Sequence, residues 1–247
     1  MAGVALVVDA VTVEFGSFRA IDTLSLAIDF GEVRAVIGPN GAGKTTLLDV
    51  ISGITRPRQG RVIFGDKTDI VRASEFQIAR AGIRRKFQKP SIFEGLNVRQ
   101  HIEIGAQGGL RRTLSKDPLD TRVAEVLDAV GLSGLADRSA SELAHGQKQW
   151  LEIGMLLAQS PKLLLVDEPA AGMTDEETRK TGELLMGLEG THSIMVIEHD
   201  MTFVRQIARK VTVLHQGTVL CEGSVDQVQN DERVKEVYLG RKKKGAT

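Results

Sequence analysis

The chain has 247 residues with 32 Lys+Arg against 32 Asp+Glu, giving a formal net charge of zero, and 42% of its residues are hydrophobic. That length suits one large domain, the apolar fraction excludes a disordered chain, and the balanced charge removes the broad positive field of a nucleic-acid binder. The longest stretch free of Asp, Glu, Lys and Arg, Val211 to Cys221, is 11 residues, whereas a spanning helix needs about 20.

The N-terminus, MAGVALVVDAV, lacks a basic start and meets Asp9 after a short apolar run, so no secretory signal is expected. The lone Cys221 cannot form an internal disulfide and reads as a small strand hydrophobe in a reducing, cytoplasmic setting. Val4 to Val13, Leu24 to Ile28 and Val33 to Ile37 read as strands, with a tight turn at Phe30-Gly31. A helix is predicted from Thr45 to Ser52, ended by Gly53, and a short strand from Arg61 to Phe64. Gln100 to Ala106, Arg122 to Val130 and Gln147 to Gln159 read as helices, and Val123, Val126, Leu127 and Val130 share one face.

Pro161 stops the third of these helices, and Leu163 to Val166 is an all-apolar run of the kind covered on both sheet faces. Ser193 to Ile197 is a second such strand, after a helix between Thr174 and Leu188. Asp200 caps a helix striped by Phe203, Val204, Ile207 and Ala208. Val211 to Leu214 and Thr218 to Cys221 form a hairpin, and Ser224 with Gln227 makes a capping box. Strands alternating with helices predict an α/β core with a mainly parallel sheet.

Gly38-Pro39-Asn40-Gly41-Ala42-Gly43-Lys44-Thr45, followed by Thr46, matches the phosphate-binding pattern G-x-x-x-x-G-K-[ST] between a strand and a helix. Its glycines let backbone N–H groups face a phosphate, and the helix start adds positive charge. Lys44 is placed to reach the β- and γ-phosphates and Thr45 to ligate Mg²⁺. Asp167, ending an apolar strand, supplies the acid for the metal shell, and Glu168 is the candidate base for the attacking water.

Further residues give the resemblance. Leu143-Ala144-His145-Gly146-Gln147 precedes a helix 20 residues before Asp167, Gln88 lies in Lys86-Phe87-Gln88-Lys89-Pro90, and His199 ends a strand. In this order the set resembles the ATP-binding subunits of ABC transporters, with their LSGGQ signature, Q-loop and switch histidine. The resemblance implies an ABC ATPase fold: a P-loop core at 1–87 and 161–247 with an N-terminal antiparallel β-subdomain, and an inserted helical signature subdomain at 88–160. It implies ATP and Mg²⁺ as ligands, Gln88 at the metal and coupling to a membrane partner, and Gln88 and His199 as catalytic residues with Glu168. Phe15, 29 residues before Lys44, stands where the family stacks adenine, with Phe18 as a nearby competitor.

The resemblance also implies that the signature, here through Leu143, Ala144, His145, Gly146, Gln147 and the helix dipole, contacts a nucleotide held by a second ATP-binding subunit. The family's serine and first glycine are replaced by Ala144 and His145, and its late aspartate by Thr174, whose capping box with Glu177 keeps the helix start. These departures favour a different chain as the second subunit. Two membrane permease subunits and, indirectly, a periplasmic or extracellular solute-binding protein are the other implied partners, placing the chain at the cytoplasmic face of the membrane.

His145 to Met155, Ala171 to Thr178 and Asp226 to Gly240 look like the branched-chain amino-acid and urea importer branch, the first two most like the urea-type subunit. Residues Lys89 to Val98, with Ile92, Phe93 and Leu96, read either as a docking surface for a permease helix or as a small cluster under a loop. The rivals are a soluble ABC ATPase acting on nucleic acid or ribosomes and a P-loop kinase or GTPase. The first is disfavoured by the lack of a basic face, since Arg241 to Lys244 reads as a solvated tail. The second gives no reason for Gly146-Gln147 or His199.

Overall fold

The structure is a computed structural model that describes residues 3–65, 68–87, 92–108 and 116–239. The chain opens with β1 (Val4–Phe15) and β2 (Phe18–Asp29), then β3 (Val33–Ile37) and helix α1 (Lys44–Ile51). β4 (Gln59–Phe64) and β5 (Thr68–Asp69) follow, then α2 (Glu75–Ala81), β6 (Ile83–Lys86), α3 (Val98–Gly108), α4 (Lys116–Ala129) and α5 (His145–Leu157). The last part runs β7 (Leu163–Asp167), α6 (Asp175–Gly187), β8 (Ser193–Ile197), α7 (Met201–Ile207), β9 (Lys210–His215), β10 (Thr218–Gly223), α8 (Val225–Asn230) and α9 (Glu232–Leu239).

Two sheets result. One is antiparallel with strand order β2-β1-β4-β5, and the other has six strands in the order β10-β9-β3-β8-β7-β6. In the second sheet every pairing is parallel except β9 with β10. This is the expected α/β arrangement, an antiparallel N-terminal sheet beside a mainly parallel one. The opening hairpin is longer than its sequence suggested, because its turn is carried by Gly16 at φ 61° and its rungs run out to Phe15 opposite Phe18.

The all-apolar strands are explained by a core on each sheet face. Val33, Ala35 and Ile37 of β3, with Leu164 and Val166 of β7, pack against α3 to α7. Their neighbours Val36, Leu163 and Leu165 pack the other way, against α1 and the antiparallel sheet. Alternate residues of one strand point to opposite faces, so a strand apolar at every position must be covered twice. Val123, Val126, Leu127 and Val130 are buried together, as their spacing predicted.

Candidate functional site

The carboxyl ends of β3, β7 and β8 meet. Ile197 pairs with Val36 on one side and Asp167 on the other, which brings the loops after Ile37, Asp167 and Ile197 side by side. Crevices outside the carboxyl ends of parallel strands are where α/β sheets bind ligands.

From β3 the chain turns through the phosphate loop into α1. The helix starts at Gly43, with φ 98°, and has neither a side-chain cap nor an acidic residue in its first turn. Its first N–H groups and its positive dipole end are therefore left to a ligand. A Cβ at Gly43 would lie 2.7 Å from the Ala20 carbonyl oxygen, so the loop is packed tightly against β2. Lys44 Nζ donates to Gly38 O at 2.7 Å and to Pro39 O at 3.0 Å, curling back over the loop. Burial pushes its pKa down, opposed first by Glu168 and then by Asp167.

A cavity of about 260 Å³ lies against this loop, bounded by residues 40–46, Phe18, Ala20, Asp167, Glu168 and Ile197. Phe18 forms part of its wall; Phe15, its cross-strand partner, is not among the lining residues. Phe15 and Phe18 thus face each other across the hairpin turn, both exposed, and Phe18 is the one that borders the cavity.

Asp167 is 4% exposed. Burial pushes its carboxyl up from the ordinary range, offset chiefly by Arg85, whose Nη2 is 3.9 Å from Oδ2. Arg85 also holds Asp49 of α1 through Nη1 at 2.5 Å. Thr45 and Asp167, which carry a hydroxyl and a carboxylate, bound the same cavity. They are hard oxygen donors of the kind Mg²⁺ takes while keeping water and phosphate oxygens as its other ligands, so the donor set fits that ion.

Glu168 sits at φ 45° with its N–H donated to Ile197 O at 2.9 Å. His199 Nδ1 lies 3.5 Å from Glu168 Oε1, so the two residues singled out by sequence stand together. Beside them is Glu198, 2% exposed, which the sequence reading does not single out. No local pattern marks it, since an acid after an apolar strand normally reads as solvated. Gln88 and residues 89–91 lie outside the described residues, as does the tail at 240–247.

The signature is arranged differently. α5 begins at His145 with Ala144 as its N-cap, and Ala144 N–H donates to Gln147 Oε1 at 3.0 Å, with no side-chain oxygen to return the bond. The Gly146 N–H, expected to face a phosphate, donates to Glu177 Oε1 at 3.2 Å within the chain. The other Glu177 oxygen accepts from Thr174 N–H and hydroxyl, each at 3.0 Å, in the predicted capping box of α6. These N–H bonds, first that of Thr174, hold the Glu177 pKa below its ordinary value.

His145 Nε2 lies 3.2 Å from Ala171 O. The side chain of Leu143 is buried in the core. None of residues 143–147 lines the phosphate cavity.

Lys86, also unforeseen, is buried with Nζ 3.6 Å from Glu152 on α5, and ties the strand leading to Gln88 to the signature helix. Of the residues before α3, Ile92 packs on the core while Phe93 is exposed, its N–H donating to His101 Nε2 at 2.9 Å. Among the described residues, no helix is long and apolar enough to cross a membrane.

A sequence profile of the family described as "ABC transporter" matches residues 21–171. A second, "Branched-chain amino acid ATP-binding cassette transporter", matches 218–244. The chain is 36% identical to the high-affinity branched-chain amino acid transport ATP-binding protein LivG of Escherichia coli K12, covering 95% of this chain and 97% of that one. It is 34% identical to the corresponding protein BraF of Pseudomonas aeruginosa over the same shares. Two solved structures of an ATP-binding cassette from an ABC transporter superpose with 29% identity, each covering 97% of this chain and 100% of the other. The nucleotide-free one has a TM-score of 0.85 and the ADP conformation 0.86.

Proposed function

We propose that this chain, which belongs to the ABC transporter ATP-binding family, is the ATP-hydrolysing subunit of an importer of the branched-chain amino-acid type. The chain is an ATPase of that family. The observation that carries the importer branch is the match of 218–244 to the branched-chain group, beyond the segment common to ABC ATPases. Within that branch the Ala171 to Thr178 and His145 to Met155 segments resemble the urea-type subunit, which makes urea a candidate cargo beside branched-chain amino acids. Uptake of labelled urea and of labelled leucine in cells lacking the chain decides between them; loss of neither overturns the importer reading.

In this reading the N–H groups of residues 40–46 and the Lys44 ammonium hold the β- and γ-phosphates, and Phe15, or Phe18 across the hairpin turn, faces the adenine. Thr45, Asp167 and Gln88 would hold Mg²⁺, which when bound neutralises phosphate charge that builds up during transfer. Glu168 orients and deprotonates the attacking water, and His199 holds the Glu168 carboxylate in place at the 3.5 Å separation seen here.

The signature of each chain serves a nucleotide on a second ATP-binding subunit, because residues 143–147 lie away from their own phosphate cavity. Two permease subunits and a solute-binding protein complete the assembly, with the chain at the cytoplasmic face of the membrane and 88–160 as the helical unit that meets a permease. Exposed Phe93 is the contact offered there. Phe93→Ala is expected to leave ATP turnover within about 2-fold and to cut uptake; loss of folding instead would assign Phe93 to the fold.

A further inference from the structure

Glu198 is more deeply buried than any other carboxylate near the phosphate cavity, at 2% exposure. Its two oxygens diverge: Oε1 accepts the Ala170 N–H at 3.2 Å, and Oε2 accepts the His199 N–H at 3.1 Å. Ala170 lies two residues beyond Glu168, and His199 is the residue after Glu198. One carboxylate therefore spans the two loops that carry Glu168 and His199. Burying a carboxylate is unfavourable unless its oxygens are hydrogen-bonded, and both bonds here go to the backbone of those loops. Burial pushes the Glu198 carboxyl up, while the two N–H donors and His199 pull it down. A plain core position would be filled at lower cost by an apolar side chain, as at Ile197 beside it.

The Glu168 backbone needs such a restraint. Its φ of 45° is a left-handed conformation unusual outside glycine. Only a surrounding frame that fixes the loop at both ends keeps it there: the Glu168 N–H is held by Ile197 O and the Ala170 N–H by Glu198. Ala171 N–H returns to Glu168 O at 3.2 Å and closes the turn.

We propose that Glu198 is a positioning residue for ATP hydrolysis: its buried carboxylate clamps the turn after Glu168 to the loop bearing His199 and so sets the distance between the two side chains. This rests on the reading of Glu168 and His199 as the hydrolytic pair. Gln at 198 offers one acceptor and one NH₂ group, and the NH₂ would face a backbone N–H, so one jaw of the clamp opens.

Steady-state ATPase assays on the full-length chain test the proposal. Glu198→Gln is expected to lower kcat about 10- to 100-fold, the size of a misplaced reacting group, while the KM for ATP stays within about 2-fold because the phosphate loop is untouched. In a His199→Ala background the same substitution is expected to add much less, since residues acting as one unit are non-additive. If Glu198→Gln keeps wild-type kcat while Glu168→Gln abolishes turnover, or if its effect multiplies in full with His199→Ala, the positioning role is overturned. If Glu168→Gln leaves turnover intact, it is the hydrolytic pair that is misassigned. Should circular dichroism show Glu198→Gln unfolded, Glu198→Asp replaces it: one methylene shorter, it keeps the charge but cannot span both N–H groups, and the same split in kcat and KM is expected.

Discussion

The phosphate loop and the signature loop use the same physics and stand in opposite states. Each is the start of a helix whose first N–H groups and dipole suit an anion. At α1 that end has no side-chain cap and no acid in the first turn, and its lysine rests on loop carbonyls. At α5 the central N–H, that of Gly146, is already bonded to the Glu177 carboxylate of the same chain. One end is built to receive a ligand directly; the other must give up an internal partner first. In the proposed assembly, where each chain binds its own nucleotide and serves another chain's, this would hold the second function back until the two chains close.

The largest effect separates the chemistry from both helix ends. Glu168→Gln keeps the size of the side chain and removes the proposed base, so turnover is expected to fall about 10²- to 10⁴-fold with nucleotide binding retained. Single-turnover hydrolysis with an equilibrium binding assay reads both. Equal loss of binding would move Glu168 from the chemistry to the binding site.

Next comes the glycine in each loop. A methyl at Gly43 meets the Ala20 carbonyl at 2.7 Å on a φ of 98°, a backbone clash on a strained conformation costing about 1–3 kcal/mol or more. At Gly146 the obstacle is Glu177 Oε1 at 2.5 Å, the end of a flexible side chain. Gly43→Ala is therefore expected to lower Tm by about 2–12 °C and Gly146→Ala by less than half as much, on a response of roughly 2–4 °C per kcal/mol for a chain this size. Equal losses would mean the signature is as rigid as the phosphate loop.

The legibility of these regions follows the same division. The phosphate loop, Asp167, Glu168 and the capping boxes at Thr174 and Ser224 are set by neighbours in sequence, and the structure has them where the pattern put them. β6 was missed because three of its four residues, Arg84, Arg85 and Lys86, are charged. Their burial is made tolerable by Asp49, Glu152 and Gln159, partners 36 to 75 positions away in the chain. Helix α2 was overlooked although Ser74 and Gln77 form a capping box, for want of a long apolar stripe. Spacing alone does not choose between Phe15 and Phe18 for the adenine, because they are cross-strand neighbours at one hairpin turn. Glu198 and the second role of Glu177 are tertiary facts, since each carboxylate bonds a backbone N–H on another element.

The Glu177 contact carries a pH signature. Its folded pKa is depressed, so its contribution is present above the ordinary carboxylate value of 4.5 and is lost as pH falls through the folded value. Glu177→Gln is expected to lower Tm by about 2–4 °C at pH 7, in line with weakening one capping interaction. The gap from wild type should close as melts are taken down towards pH 3. A gap that stays constant with pH would show that charge is not what Glu177 contributes at Gly146 and Thr174.

The smallest effect probes the departure at the signature itself. Ala144 is the N-cap of α5 and receives nothing from its own side chain, while Gln147 already accepts its N–H at 3.0 Å. Half of a capping box is thus in place, and Ala144→Ser supplies the hydroxyl that accepts the Gln147 N–H. A serine in place of alanine at an N-cap stabilises by about 1 kcal/mol, or a rise in Tm of roughly 2–4 °C. The hydroxyl can serve either that N–H or a phosphate on the facing subunit, and the two uses separate in the assay. Stability of the isolated chain should rise whether or not nucleotide is present, but turnover should rise only when the second ATP-binding subunit is added. A turnover unchanged in the mixed pair would mean that the alanine costs this site nothing, and that the internal bond from Gly146 to Glu177 is what limits the signature.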